Sequence, residues 1–199
     1  MATVSKVMIA NLALGKIGNN NPIESFDEAS AQAKACKRWY EACRLQALEA
    51  FDWSFARKRL TLATHGDEAD EDEWAYRYQY PADCVVARYI VNPLGKEADP
   101  VPYDIEVSAN GTKSIVTNME DAVLVFTFDQ ETVTMFSWHF IDTLSALLGW
   151  RIAPALNGSS EIIQARLNEY RALLVAAPAQ NANEQMKAAP REAPWIRGR

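Results

Sequence analysis

The sequence predicts a mainly α protein: a helical bundle with an inserted small antiparallel β region and an extended C-terminal tail. Three observations carry that expectation. Apolar residues recur at helical spacing near both ends of the body, aromatic and β-branched residues come in short runs between prolines and glycines in the middle, and the stretch from Pro178 onward shows no apolar periodicity. With 199 residues, 49% hydrophobic and 23% charged, the chain has the balance of an ordinary globular protein with one well-buried core. We therefore expect a single domain over residues 1–177, helical at 1–56 and 130–177 with a β-rich insertion at 57–129, and then an extended arm at 178–199.

Ile9, Leu12, Ala13 and Ile17 share one helical face, giving a first helix over about residues 4–17 that stops at Gly18 and Asn19 to Asn21. Lys6, Asn11 and Lys16 interrupt its apolar run, which is too short to span a bilayer and lacks a cleavage-site pattern; neither a targeting segment nor a membrane partner is expected. Ser25 and Glu28 offer a capping box for a second helix over roughly 28–50, with Cys36, Tyr40, Cys43, Ala47 and Phe51 on its apolar stripe and Lys34, Arg38, Glu41 and Arg44 mainly off it. Cys36 and Cys43 would stand about 10 Å apart on that helix, beyond the roughly 7 Å reach of a disulfide. With Cys84 they read as reduced structural thiols.

Phe51-Asp52-Trp53-Ser54-Phe55 followed by Arg57-Lys58-Arg59 has the mixture of rings and cations that grips single-stranded nucleic acid. The net charge of −6 favours the other reading, in which the rings plug the core where helix turns into strand. The six carboxylates between Gly66 and Glu73 lack the alternating ligands and central glycine of a calcium loop, so we read a solvated loop and no metal. From Tyr76 to Phe128, Pro81, Pro93, Gly95, Pro100 and Pro102 punctuate strand-like runs. Asn110-Gly111 predicts a hairpin between Ile105–Val107 and Ser114–Thr117, and Val123–Phe128 makes a further strand.

Helical spacing returns after Gln130 with Val133, Phe136, Phe140, Leu144, Leu147 and Leu148, a stripe widened by Met135, Trp138 and Ile141. A helix so broadly apolar is either central or covered by a neighbouring subunit. Ser159 or Ser160 caps a last helix bearing Ile163, Leu167, Tyr170 and Leu174, which we expect to end near Ala177.

Little here speaks of catalysis. The eight glycines never cluster into a phosphate-cradling loop, no nucleophile elbow occurs, and the two histidines sit apart, His65 beside the acidic loop and His139 inside the apolar helix, where we read a satisfied interior or interface residue. We expect no enzyme activity, no cofactor and no sequence-specific DNA binding. A mildly acidic bore still suits DNA that must pass without sticking.

Three stretches resemble the tail tubular protein A family, the head-to-tail adaptors of short-tailed bacteriophages. They are Ala10 to Gly18 with Ile23 to Glu28 and the helix around Cys36–Tyr40, then Phe51 to Arg59 leading into Tyr78 to Cys84, and finally Pro194-Trp195-Ile196-Arg197. The resemblance implies a structural virion protein assembled in the host cytoplasm, with about twelve copies forming a ring between the portal protein and a tail nozzle or tail tube, around the DNA ejection channel. It also makes the tail a docking arm, in which Pro194, Trp195, Ile196, Arg197 and Arg199 would contact the portal or a neighbouring subunit. The alternatives are a small phage hydrolase built on the carboxylates, a DNA-binding accessory protein using Arg57 to Arg59, and a tail that folds back on its own body.

Overall fold

A computed structural model describes residues 4–65, 73–95, 99–107, 111–156 and 159–183. Of these, 48% are helical and 21% are in strands, which corrects the expectation of a mainly α bundle. The protein is mixed α/β, because the insertion is not one small antiparallel region but two three-stranded antiparallel sheets with a core of their own.

The helical body follows from apolar stripes and local caps. Ser5 accepts the Met8 N–H to start α1 (Lys6–Lys16), and the chain turns away at Gly18, whose φ of +74° suits glycine. Helix α2 (Ala31–Ala50) starts later than the capping box suggested. Ser30 caps it by accepting from Ala33 N, while Glu28 spends its carboxylate on the backbone N–H groups of Glu24 and Ser25 in the preceding turn. Helix α3 (Trp138–Leu156) is the central helix of the body, packing against α1, α2 and α4. A β-carbon added at Gly149 would meet the Ala13 carbonyl oxygen at 3.3 Å, which marks the close approach of α1 to α3.

Helix α4 (Ser160–Asn183) overruns its expected end at Ala177 and passes through Pro178. Proline leaves one helical carbonyl without a donor, yet tertiary contacts hold the last turns in place. Ala177 is fully buried, and the Asn181 side chain accepts from Ser54 N at 3.0 Å and donates to Asp52 O at 3.4 Å. The boundary expected at residue 178 therefore falls inside a helix.

In the insertion, β1 (Arg57–Thr61), β6 (Val123–Phe128) and β3 (Cys84–Ile90) form one sheet in that order; β2 (Tyr76–Gln79), β5 (Lys113–Thr117) and β4 (Tyr103–Val107) form the other. Both β5 and β6 are buried along four consecutive residues, as central strands covered on both faces are. The expected hairpin is present as β4–β5, paired up to Val107 opposite Lys113; Asn110 lies outside the described residues. Isolated bridges from Thr64 to Tyr78 and from Ile90 to Val101 join the sheets along both margins. Leu62, Tyr78, Ile115, Leu124 and Phe126 fill the space between them.

Two joints tie the β module to the helices. Arg57 pairs with Thr127, so the chain enters and leaves the module side by side. Strand β3 slips register against β6 at Val85 and again at Arg88, and each bulge turns its extra residue out of the ladder. Arg88 thereby reaches the C-terminal end of α2, donating to Leu48 O at 3.1 Å, Glu49 O at 3.0 Å and Phe51 O at 2.7 Å, and to Thr127 Oγ1 at 2.8 Å. Burial lowers the Arg88 pKa, since the group loses water and gains mostly carbonyls. Arg44, only 2% exposed, binds Glu41 at 2.7 Å, Asp129 at 2.5 Å and Gln130 O at 2.9 Å. Burial opposes the Arg44 charge, but those carboxylates outweigh it and raise its pKa.

Between the joints lies the aromatic plug expected from the sequence. Trp53 donates its indole N–H to Ala47 O at 2.8 Å and packs edge-on to Phe140 at 5.1 Å, while Phe55 meets Phe140 at 5.0 Å.

Replacing Arg88 by alanine orphans three carbonyls and should cost roughly 2–4 kcal/mol. Urea unfolding should show a lower midpoint at unchanged slope. Lysine should rescue little, because an ammonium cannot fork across three carbonyls; a loss under about 0.5 kcal/mol, as for a surface residue, would refute this role.

Candidate functional site

Where the β module leans on α2, the two leave an open groove of about 610 Å³. Its walls come from three separate segments. Helix α2 presents Leu45 and Glu49 one turn apart; the turn leading into β3 gives Ala82 and Asp83, then Cys84 and the bulged Val85; and the chain after β6 gives Asp129 and Glu131. Backbone hydrogen bonds from Cys84 N to Pro81 O and from Asp129 N to Asp83 O hold the β wall in place.

Half of the lining residues are apolar and half are carboxylates. Lys58 pairs with Asp83 at 2.5 Å, its ammonium 4.0 Å from the centre of the Phe128 ring, and Arg44 pairs with Asp129 from below. Glu49 and Glu131 line the groove exposed and without a salt bridge among the described residues, Glu49 with the Arg88 charge nearby. Such a surface suits a ligand with a hydrophobic body and cationic ends. No group of three His, Cys, Asp or Glu among the described residues is arranged to hold a metal ion. Cys84 is the one thiol at the groove; burial raises its pKa, despite a hydrogen bond with Tyr80, so it is protonated at neutral pH and a poor nucleophile. A smaller crevice of about 190 Å³ lies against Tyr40 between Lys6 and Lys37, but both lysines are already paired, with Glu41 and Asp27.

The contact residues expected from the sequence, Pro194, Trp195, Ile196, Arg197 and Arg199, lie outside the described residues, as does the acidic loop at 66–72. In the basic run, Arg57 is held by Asp52 at 2.7 Å and Lys58 by Asp83, so two of its three cations are already neutralised. His139 is satisfied, its Nε2 2.9 Å from Leu173 O and its ring tilted against Trp53. Cys36 and Cys43 are buried free thiols pushed up by burial to about 11 and about 12.

Two features escaped sequence reasoning. The groove is assembled from positions up to 86 residues apart, and nothing local marks them as neighbours. The other is how little the body itself covers residues that the apolar spacing marks: Trp138 is 66% exposed and Met135, in a 3-10 turn before α3, is 56% exposed, while Val175 on α4 is 83% exposed.

No family model matches the chain, and no curated protein matches it.

Thiol reagents should label Cys84 in the native protein, with Cys36 and Cys43 at least ~100-fold slower because they react only through opening of the body. Peptide mapping by mass spectrometry after timed alkylation measures this. Equal labelling of all three would show that the buried face of α2 is not closed.

Proposed function

We propose that this chain is a structural subunit of a phage head-to-tail connector, an adaptor whose copies form a ring between the portal protein and the tail nozzle or tail tube and enclose part of the DNA path. In this reading it belongs to the virion neck and is assembled in the host cytoplasm. The exposed Trp138 is the observation that carries the proposal. An aromatic side chain left in water forgoes roughly 2–3 kcal/mol of burial, yet Trp138 stands next to a helical core that has taken in Phe136 and Phe140. A neighbouring subunit is the partner that would bury it, together with Met135.

The stretches that carry the family resemblance support the same reading, because they do architectural work. The Asn11 amide brackets Ile23, accepting from its N–H at 2.8 Å and donating to its carbonyl at 2.9 Å, and so sets the return from α1 toward α2. Phe51 to Arg59 forms the plug and the entry to the β module, and Tyr78 to Cys84 forms part of its core and the groove wall. Neither the hydrolase nor the DNA-grip alternative has a comparable observation in its favour.

Native mass of the purified chain, alone and mixed with the portal protein of the same phage, tests the reading. A ring-sized complex in either sample is expected, and a monomer that ignores the portal would overturn it. Trp138→Glu should leave the thermal midpoint nearly unchanged, as exposed substitutions do, while reducing ring formation by about 30-fold, the effect of a ~2 kcal/mol contact. An undiminished ring population would remove Trp138 from the interface.

A further inference from the structure

We propose that the groove between α2 and β3 receives the segment Pro194–Arg199 of a neighbouring copy, so that each subunit carries both the socket and the plug of a head-to-tail contact. The inference rests on the ring reading and specifies what joins its members.

Charge is the first argument. Residues 184–199 hold Lys187, Arg191, Arg197 and Arg199 against Glu184 and Glu192, a net +2 within a chain of net −6; everything before them therefore carries −8. The groove is acidic in the same sense, with Glu49 and Glu131 unneutralised by Lys58 and Arg44, and the last six residues offer it two arginines. Chemistry of the body is the second. Trp195 and Ile196 are the hydrophobic part of the segment, followed by Arg197 and Arg199, and Leu45 with Ala82 and Val85 is the apolar part of the groove, between carboxylates. Leu45 is 37% exposed, although it lies on a helix whose other large apolar residues are covered.

Length is the third. Helix α4 is hydrogen-bonded through Asn181 to Asp52, which follows Glu49 by three residues and so lies within about 11 Å of the groove wall. The eleven residues from 184 to 194 span up to ~36 Å when extended. That reaches the chain's own groove with length to spare, so length does not confine the arm to its own chain. Plug and socket are different surfaces, so their contact is heterologous and forms a ring when its rotation closes.

Cys84 in the groove wall makes the contact measurable. The full-length chain carrying Gly198→Cys is brought to its assembled state, with portal protein present if assembly requires it, and then mildly oxidised. Bonding needs the two Cα atoms within about 7 Å, and Cys36 and Cys43 are too buried to compete. The expected result is a ladder of covalent dimers and larger species on non-reducing gels, absent when Cys84→Ser is added and at least tenfold weaker with Leu45→Arg and Glu131→Arg together. A cross-link confined to monomers would overturn exchange between copies. An intact ring without any Cys84 cross-link would overturn the groove as socket and leave the ring reading standing. A chain that stays monomeric with portal present and forms no cross-link would overturn both.

Discussion

The last carbonyls of α2 have no helical partner, and no glycine turns the chain to cap them; Phe51 leaves the helix in extended conformation. Arg88 meets that need from the β module. A cation at the negative end of a helix is favoured by the helix dipole as well as by hydrogen bonding, so one side chain sets the position of β3 against α2. Arg44 clasps the returning strand in the same manner from the helical side. The groove exists because these two arginines fix how closely its walls approach.

What could be read in the sequence followed the physics of periodicity. The helices announced themselves through apolar spacing, the insertion through Pro, Gly and β-branched runs, and the plug through its crowding of Trp53 and Phe55. What could not be read depended on contacts between distant segments. Ser25 to Glu28 satisfies a capping pattern, and only the folded chain shows Ser30 holding the first N–H groups of α2. Pro178 looks like a stop, and Asn181 overrides it by bonding to residues 127 and 129 positions away. Arg44 was placed with the wetter face of its helix and is in fact buried. The scale of the β module was missed because a pair of closed sheets and one small antiparallel insertion share the same local vocabulary of short runs and turns.

The distribution of chemistry accords with the contact role proposed above. Most carboxylates near the joints are paired, His139 and the thiols of α2 are engaged or buried, and the side chains left unspent are large and apolar or lie along an acidic groove. Surface of that kind contributes to association when a partner covers it.

The pairing of Arg57 with Thr127 has a bearing on descent. Because the β module begins and ends at adjacent strand positions and has its own core, it behaves as a cassette plugged into a four-helix chassis. Its outer surface can vary in length or charge as long as Arg88 still reaches the end of α2 and Asp129 still meets Arg44. Evolution is thereby free to re-tailor the module's outer surface, one related chain at a time, while the frame that carries it stays the same.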